Sequence, residues 1–285
     1  MALASLLAAA VAALTPAQKA ALVVVSGLPA PPGVGGVLVQ RWSNDYEWPA
    51  GVLSFADQEG GDVRALPQLP PFHAASWYRT AADARSAGFA TGRAIRRAGI
   101  DVDLAPVLDA PDGPLGSREF RRGAFGVAFA RGLMHAGAGT CIKHFPGLGS
   151  APISTDERVH VNAHVRSWEV ATFATAIGAG VPCVMTSNAF YDGAPYRASI
   201  NAETYSRLRA LGFDGVAITD SLSIVSHAPV ERWAPQAIRA GADLVLFTDP
   251  SHARRAIRAL LPLARTGELD EHVDRVLWLR ARYAR

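Results

Sequence analysis

The sequence predicts an α/β fold, specifically a (β/α)₈ barrel of the TIM type that forms a single domain over residues 1–285. Short apolar segments alternate with longer helix-like segments along most of the chain, which is the order of a parallel α/β architecture. The chain holds about seven or eight such units, and a barrel of this type takes about 250 residues. Its 285 residues therefore suit one barrel.

The predicted strands are mostly continuous apolar runs, which indicates strands that are buried on both faces. An open doubly wound sheet is the alternative, but no Gly-x-Gly-x-x-Gly sequence opens a helix after the first strand, which weakens a dinucleotide-binding version of it. The predicted strands cover residues 36–40, 51–55, 102–108, 140–142, 183–186, 216–219 and 244–248.

Helices are predicted between the strands and at both ends of the chain. The Ala- and Leu-rich residues 1–25 favour a first helix, and Thr15-Pro16 resembles a cap followed by proline at the start of a second helix. Residues 267–285 place apolar side chains at helical spacing and predict an amphipathic helix that closes the barrel surface. The intervening helices are predicted over residues 81–98, 122–136, 168–179, 202–211, 229–240 and 251–266.

Composition bounds the class of protein and its partners. Hydrophobic residues make up 49% of the chain and charged residues 19%, so we expect a sizeable core and no disorder. The net charge is +3, and the arginines lie in helix-like segments without interleaved aromatic residues, which indicates no nucleic-acid partner. The apolar N-terminus lacks the basic start of a secretory signal and is too interrupted for a membrane span. We therefore expect a cytoplasmic monomer without membrane association.

The chain contains two cysteines, Cys141 and Cys183, and both lie inside apolar strand-like runs. We expect them to be small buried hydrophobic residues rather than a disulfide or a metal pair. No metal-ligand spacing appears elsewhere, so neither a metal nor an organic cofactor is predicted.

Polar residues follow nearly every predicted strand, at the end where barrels of this type carry their chemistry. Several of these residues have structural alternatives, since Asp is common in turns and helix caps. Asp249 fits a helix cap and Asp109 a turn residue, Asn188 fits either class, and Asp57 and Arg118 fit a structural ion pair. The polar residues at the predicted rim are Asp57, Asp109, Lys143, His144, Asn188, Asp220 and Asp249.

Lys143, His144 and Asp220 are the hardest of these to explain as structure, because charged groups resist burial unless they are paired or bind a ligand. Carboxylates accept hydrogen bonds from sugar hydroxyls, and Lys and Arg donate to such hydroxyls. A carboxylate can also attack an anomeric carbon. The rim therefore predicts a small carbohydrate substrate.

Five motifs resemble glycoside hydrolase family 3, specifically its single-domain β-N-acetylglucosaminidases. They occur in the family's order: DQEGG (57–61), DLAPVLD (103–109), GSREF (116–120), KHFPGLG (143–149) and ITDSLSI (218–224).

The resemblance implies a (β/α)₈-like barrel and a retaining mechanism. By that resemblance, Asp220 corresponds to the nucleophile that forms a covalent glycosyl-enzyme. Asp57, Arg118, Lys143 and His144 correspond to the residues that grip the sugar.

The acid/base residue departs from the family pattern. Relatives of this type carry Asp-Ser-His after the KHFPG strand, whereas this chain reads SAPISTDERVHV. Asp156 is the nearest acidic candidate and is either the acid/base or a turn residue, while His160 fits a solvated loop residue. Two further departures are Leu148, where the family has His, and Asp62, where it has Arg; Arg64 is a possible replacement for that arginine.

Three functional hypotheses follow. The first is a retaining exo-β-glycosidase, specifically a β-N-acetylglucosaminidase that acts on small wall- or chitin-derived sugars through Asp220 and Asp156. The second is a catalytically silent sugar-binding or regulatory protein that kept the barrel. The third is a phosphorylase or transglycosylase variant, in which phosphate or another sugar replaces water.

Overall fold

The computed structural model describes residues 2–224 and 230–284. The strands are β1 (Val24–Gly27), β2 (Gly36–Val39), β3 (Leu53–Ala56), β4 (Gln58–Gly60), β5 (Val63–Arg64), β6 (Val102–Asp103), β7 (Gly139–Phe145), β8 (Asn162–Ala163), β9 (Cys183–Thr186), β10 (Phe190–Tyr191), β11 (Val216–Thr219) and β12 (Val245–Phe247). The helices are α1 (Ala2–Ala13), α2 (Pro16–Leu22), α3 (Ala81–Arg97), α4 (Gly123–His135), α5 (Ser167–Gly178), α6 (Ala202–Ala210), α7 (Val230–Ala240), α8 (Pro250–Thr266) and α9 (Asp270–Tyr283). No helix in this part of the chain combines the length and apolarity that a bilayer crossing requires.

Eight of the strands form one parallel sheet that closes on itself. Their order is β11-β9-β7-β6-β3-β2-β1-β12, and each neighbouring pair is parallel. A further parallel bridge joins Ile218 of β11 to Leu244, directly before β12, so the two edge strands of the sheet meet. The predicted TIM-like barrel is therefore confirmed.

The helices surround the barrel unevenly. Helices α3 to α7 connect the strands from β3 onward, and each of the six intervening helices is found within one residue of its predicted bounds. The first residue of the helix predicted over 229–240 lies outside the described residues. Residues 28–35 and 40–52 connect β1 to β2 and β2 to β3 without a helix. Helices α2 and α8 pack against β1 instead.

The N-terminal segment corrects the prediction of an entirely helical start. The second helix begins where predicted, because the Thr15 hydroxyl accepts from Gln18 N and Gln18 Oε1 accepts from Thr15 N. That helix ends at Leu22, and Val24–Gly27 instead forms the first barrel strand between β2 and β12. The β-branched valine run favours an extended backbone once it can pair on both sides.

Strand bounds also differ from the predictions around the site. The strand predicted over 140–142 extends through Lys143 and His144 to Phe145, where the chain still pairs with β9. The strand predicted over 102–108 ends at Asp103, since Pro106 has no N–H for the ladder. Asp249 caps α8 as predicted, because its Oδ1 accepts from Ser251 N at 2.7 Å.

Helix α9 closes the amino-terminal end of the barrel. The helix predicted over residues 267–285 is found, and it begins at Asp270 and ends at Tyr283. Its side chains Val276, Leu279 and Tyr283 join the same core cluster as the inward-facing strand residues. The barrel interior is therefore a packed core that one terminal helix covers from below. The cavity that could bind a ligand lies at the opposite, carboxyl end of the strands.

Asp243 ties this lower end together. Its carboxylate is fully buried and accepts from Ala217 N at 2.8 Å and from Arg209 Nη2 at 2.7 Å. The same carboxylate lies 3.0 Å from His272 Nδ1 and accepts from Arg275 Nη1 at 3.1 Å. One carboxylate thus links α6, β11 and α9 at the start of β12.

We expect Asp243→Ala to destabilise the fold by about 3 kcal/mol, because it leaves two arginines without their buried partner. The value lies at the lower end of the range for buried pairs, since both arginines keep partial contact with water. Urea unfolding followed by circular dichroism measures the change. Asp214→Ala, at an exposed site, is the matched control with a change of less than about 0.5 kcal/mol. An Asp243→Ala variant as stable as that control would contradict this role.

Cys141 and Cys183 form a disulfide, so the expectation of two separate thiols is wrong. They are register partners on the adjacent strands β7 and β9, with Cα atoms 4.3 Å apart, and both side chains face the barrel core. Sequence separation hid this pairing, because only the strand register brings the two positions together. The disulfide weighs against a cytoplasmic location, since reducing compartments keep most thiols reduced. The location itself stays a prediction.

We expect the denatured, unreduced protein to take up no iodoacetamide, because both sulfur atoms are in the disulfide. After reduction the same protein should gain an adduct at Cys141 and another at Cys183, which intact-mass spectrometry measures. As the positive control, the protein is treated with reductant first and is then denatured and labelled with iodoacetamide. Adducts on both residues without any reductant would show that the thiols are free.

Candidate active site

The carboxyl ends of the barrel strands surround a cavity of about 370 Å³. Side chains from the strands and from the long connections form the wall of this cavity. The structure brings all six side chains that the sequence singles out to this one cavity: Asp57, Arg118, Lys143, His144, Asp156 and Asp220.

Three strands supply four of these side chains. Asp57 follows β3 directly, Lys143 and His144 lie in β7, and Asp220 follows β11. The peptide between Lys143 and His144 is cis, and both side chains border the cavity. The other two come from connections: Arg118 from the 3₁₀ turn Gly116–Arg118 before α4, and Asp156 from the segment between β7 and α5.

Glu59 is the functional residue that the sequence reasoning missed, although it stands in the DQEGG motif. Its buried carboxylate lies 2.6 Å from Lys143 Nζ and accepts from Arg118 Nε and Nη2 at 2.8 and 2.9 Å. Burial alone raises the pKa of Glu59, but the charges of Lys143 and Arg118 outweigh it and lower that pKa to about 2. Glu59 therefore stays ionised and holds both cations at the cavity wall.

The ion pair that the sequence suggested between Asp57 and Arg118 does not form. Each residue pairs with a different partner. Asp57 Oδ1 lies 2.5 Å from Lys143 Nζ, whereas Arg118 pairs with Glu59. Burial lowers the pKa of Lys143, but Asp57 and Glu59 outweigh burial and raise it, so the ammonium stays charged. The described residues contain no group of three or more His, Cys, Asp or Glu that could hold a metal ion.

Asp109 orients His144, so its interpretation as a turn residue is wrong. The Asp109 carboxylate is buried, and its Oδ2 lies 2.7 Å from His144 Nδ1. Its Oδ1 accepts from His144 N at 3.1 Å and from Leu148 N at 2.8 Å. Since Nδ1 faces Asp109, the other ring nitrogen of His144 is the one left for a ligand in the cavity.

Asp220 is half-buried where β11 ends, and its Oδ1 accepts from Ser221 N at 2.6 Å. Asn188, whose role was open, is a buried structural residue that donates from Nδ2 to Ser221 O at 3.0 Å. Burial raises the pKa of Asp220 to about 6; His144 opposes that rise, and the negative charge of Asp156 adds to it. The carboxylate can therefore change its ionisation near neutral pH.

Asp156 is part of a turn, and its side chain also borders the cavity. It takes part in a turn, because its N–H donates to the Ser154 hydroxyl at 3.1 Å. Its side chain also borders the cavity and lies 3.6 Å from Arg118 Nη1, while remaining 60% exposed. Asp156 is thus an accessible carboxylate on a loop, at the edge of the site rather than at its floor.

A buried arginine anchors the loop that carries Asp156. Arg197 lies between the rings of Phe190 and Trp233, with its guanidinium carbon 4.9 and 4.8 Å from their centroids. Its Nη1 donates to Val159 O at 3.4 Å, three residues beyond Asp156. His160 is exposed as predicted and stacks on Phe190, with centroids 4.3 Å apart. These contacts fix the base of the loop against the barrel.

The two further departures from the family pattern lie outside the cavity wall. Leu148 is buried in an apolar cluster, and Asp62 is exposed. Arg64 does not replace the family arginine in the cavity, because its Nε donates to Gly61 O at 2.7 Å and its Nη1 to Pro67 O.

Comparison with known proteins places this site in a family. The model of the glycosyl hydrolase family 3 N-terminal domain matches residues 39–279. A β-hexosaminidase from Xylella fastidiosa is 31% identical over an alignment of 242 residues, and the match covers 74% of this chain and 71% of that protein.

Two solved structures have the same fold over nearly the whole chain. A β-N-acetylglucosaminidase of family 3 from Paenibacillus is 28% identical with a TM-score of 0.82, and the match covers 95% of this chain and 63% of that one. A β-N-acetylhexosaminidase from Beutenbergia cavernae is also 28% identical with a TM-score of 0.82, and the match covers 94% of this chain and 99% of that one. The chain therefore belongs to glycosyl hydrolase family 3.

Proposed function

We propose that the protein is a retaining exo-β-glycosidase that releases terminal N-acetylglucosamine from small wall- or chitin-derived sugars. The observation that supports this most is the convergence of carboxylates, two cations and an imidazole on one cavity at the carboxyl ends of the strands. The names of the relatives, β-hexosaminidase and β-N-acetylglucosaminidase, support an acetamido sugar as the substrate.

Asp220 attacks C1 of the sugar and forms a covalent glycosyl-enzyme, while the bond to the departing oxygen breaks. The attack needs the ionised carboxylate. The Ser221 N–H and the nearby His144 and Lys143 favour that form, against the effect of burial. Water then attacks C1 from the vacated side and restores the Asp220 carboxylate.

Asp156 supplies the proton to the departing oxygen and later removes one from the attacking water. The negative charge of Asp156 adds to the rise in the pKa of Asp220, so the two carboxylates interact across the cavity.

The remaining wall residues hold the sugar. Lys143 and Arg118 present N–H donors to hydroxyl groups, Asp57 accepts from them, and His144 offers its second ring nitrogen. Glu59 keeps both cations in place without needing to touch the sugar.

Two other hypotheses remain distinguishable from this one. A silent sugar-binding protein is favoured by the 60% exposure of Asp156, because an acid this exposed is poorly shielded from water. A phosphorylase is disfavoured, because the Asp156 carboxylate repels phosphate at the place where the nucleophilic acceptor enters. Rates with and without inorganic phosphate separate hydrolysis from phosphorolysis.

We expect Asp220→Asn to lower the turnover of 4-nitrophenyl N-acetyl-β-glucosaminide by about 10³-fold or more, since the amide cannot form the glycosyl-enzyme. Release of 4-nitrophenol measures the rate, and Asp214→Asn at an exposed remote site is the control. A wild-type protein without turnover on a wide glycoside panel, yet stabilised by sugar in thermal unfolding, would favour the silent binding protein instead.

The dependence of kcat/KM on pH tests the pairing of Asp220 with Asp156. Asp220 must be ionised and its pKa is about 6, so kcat/KM should fall as the pH drops through about 6. Asp156→Asn removes a negative neighbour, which lowers the pKa of Asp220 and moves this acid limb to lower pH.

The same Asp156→Asn variant should lose about 10²–10⁴-fold on an alkyl glycoside and less on an aryl glycoside, whose leaving group needs less protonation. Glu157→Gln, at the adjacent exposed position, is the matched control. An unmoved acid limb together with an equal loss on both glycosides would contradict the role of Asp156.

A further inference from the structure

We propose that Trp42 forms a stacking platform for the group attached to C1 of the sugar, either a second pyranose ring or an aryl ring. This subsite rests on the proposed glycosidase function and deepens it. Trp42 borders the same cavity, but it has no role in the mechanism proposed for the first sugar.

Trp42 is 76% exposed, more than any other large hydrophobic side chain of the described residues. An indole left in water at the edge of a cavity loses the stabilisation that burial gives elsewhere in the fold. Exposed apolar surface at a binding cavity is typical of a ligand contact. A ligand ring that covers the indole recovers the lost stabilisation.

The turn that carries Trp42 is held on both sides. Ser43 is buried, its N–H donates to Gln40 O at 2.9 Å, and its hydroxyl accepts from Gln40 N at 3.2 Å. The Asn44 side chain donates to Ala65 O at 3.2 Å and joins the turn to the segment that follows β5. The indole is therefore presented from a fixed backbone, as a platform requires.

The strands on either side of β1 contribute uncharged side chains to the described part of the cavity wall. Strands β2 and β12 flank β1 in the barrel and contribute Gln40, Leu246 and Thr248 to the wall. The charged residues come from the ends of β3 and β11, from β7, and from the connections that carry Arg118 and Asp156. The charged side matches the hydroxyl groups of the first sugar, and the uncharged side matches the C–H face of a second ring.

The platform is open to a ring rather than to an anion. The face of an indole is electron-rich and attracts the positively polarised C–H bonds of a pyranose or the edge of an aryl ring. Residues 40–52 connect β2 to β3 without a helix, so no secondary structure of that connection stands over the indole.

The test measures binding in the Asp220→Asn variant, which avoids any dependence on turnover. Calorimetry compares N-acetylglucosamine with its β-1,4-linked disaccharide. Adding Trp42→Ala should weaken disaccharide binding by about three- to tenfold and leave the monosaccharide within about twofold. Trp42→Phe should keep part of the disaccharide affinity. Trp168→Ala, which removes another exposed tryptophan on α5, is the matched control.

The outcomes separate the subsite from the proposed function. If both sugars bind and Trp42→Ala changes neither affinity, or weakens both equally, the subsite is overturned and the glycosidase proposal stands. If the Asp220→Asn variant binds neither sugar, both proposals are overturned. A loss of affinity confined to the disaccharide supports both the subsite and the glycosidase proposal. Because Trp42 is exposed, Trp42→Ala should leave the thermal unfolding temperature unchanged.

Discussion

The Glu59 carboxylate is the contact on which the sugar-binding side of the cavity depends. It holds Lys143 and Arg118, which come from a strand and from a separate long connection, within hydrogen-bonding distance. Without it the buried Lys143 and the partly exposed Arg118 would face each other without sufficient compensation. Asp57, more accessible than Glu59, is then free to share Lys143 with a ligand. The buried Glu59 fixes the positions of Lys143 and Arg118, and the accessible Asp57 is available to bind a ligand.

The two carboxylates proposed for chemistry lie in contrasting surroundings. Asp220 is fixed where a barrel strand ends, with an N–H donor on one oxygen and burial that raises its pKa. Asp156 lies on a loop and is largely exposed, although Arg197 anchors that loop a few residues further on. A rigid nucleophile combined with an accessible acid/base fits a mechanism in which the second group changes its protonation state between two steps.

Stability and function lie at opposite ends of the barrel. Asp243 and α9 gather buried hydrogen bonds and apolar side chains at the amino-terminal end. The carboxyl end carries the ion pairs, the cavity and the exposed indole of Trp42. Because the packed core of the barrel separates the two ends, the loops around the site can vary without loss of the fold. The connection that follows β2 contains no helix, and it carries Trp42.

The sequence by itself determined the class of fold and most of the cavity wall. Continuous apolar runs between helical patterns are a local property, and each polar residue directly after such a run lies at the same end of a parallel barrel. The roles that it missed depend on which strands become neighbours. Asp109 is a turn residue by its local sequence, and only the pairing of β6 with β7 brings it to His144. Cys141 and Cys183 become partners through strand register, Glu59 acquires two cations from distant segments, and Trp42 meets the cavity only when the barrel closes. Tertiary structure decided these contacts because side-chain partners far apart in the chain are chosen by packing and not by local pattern.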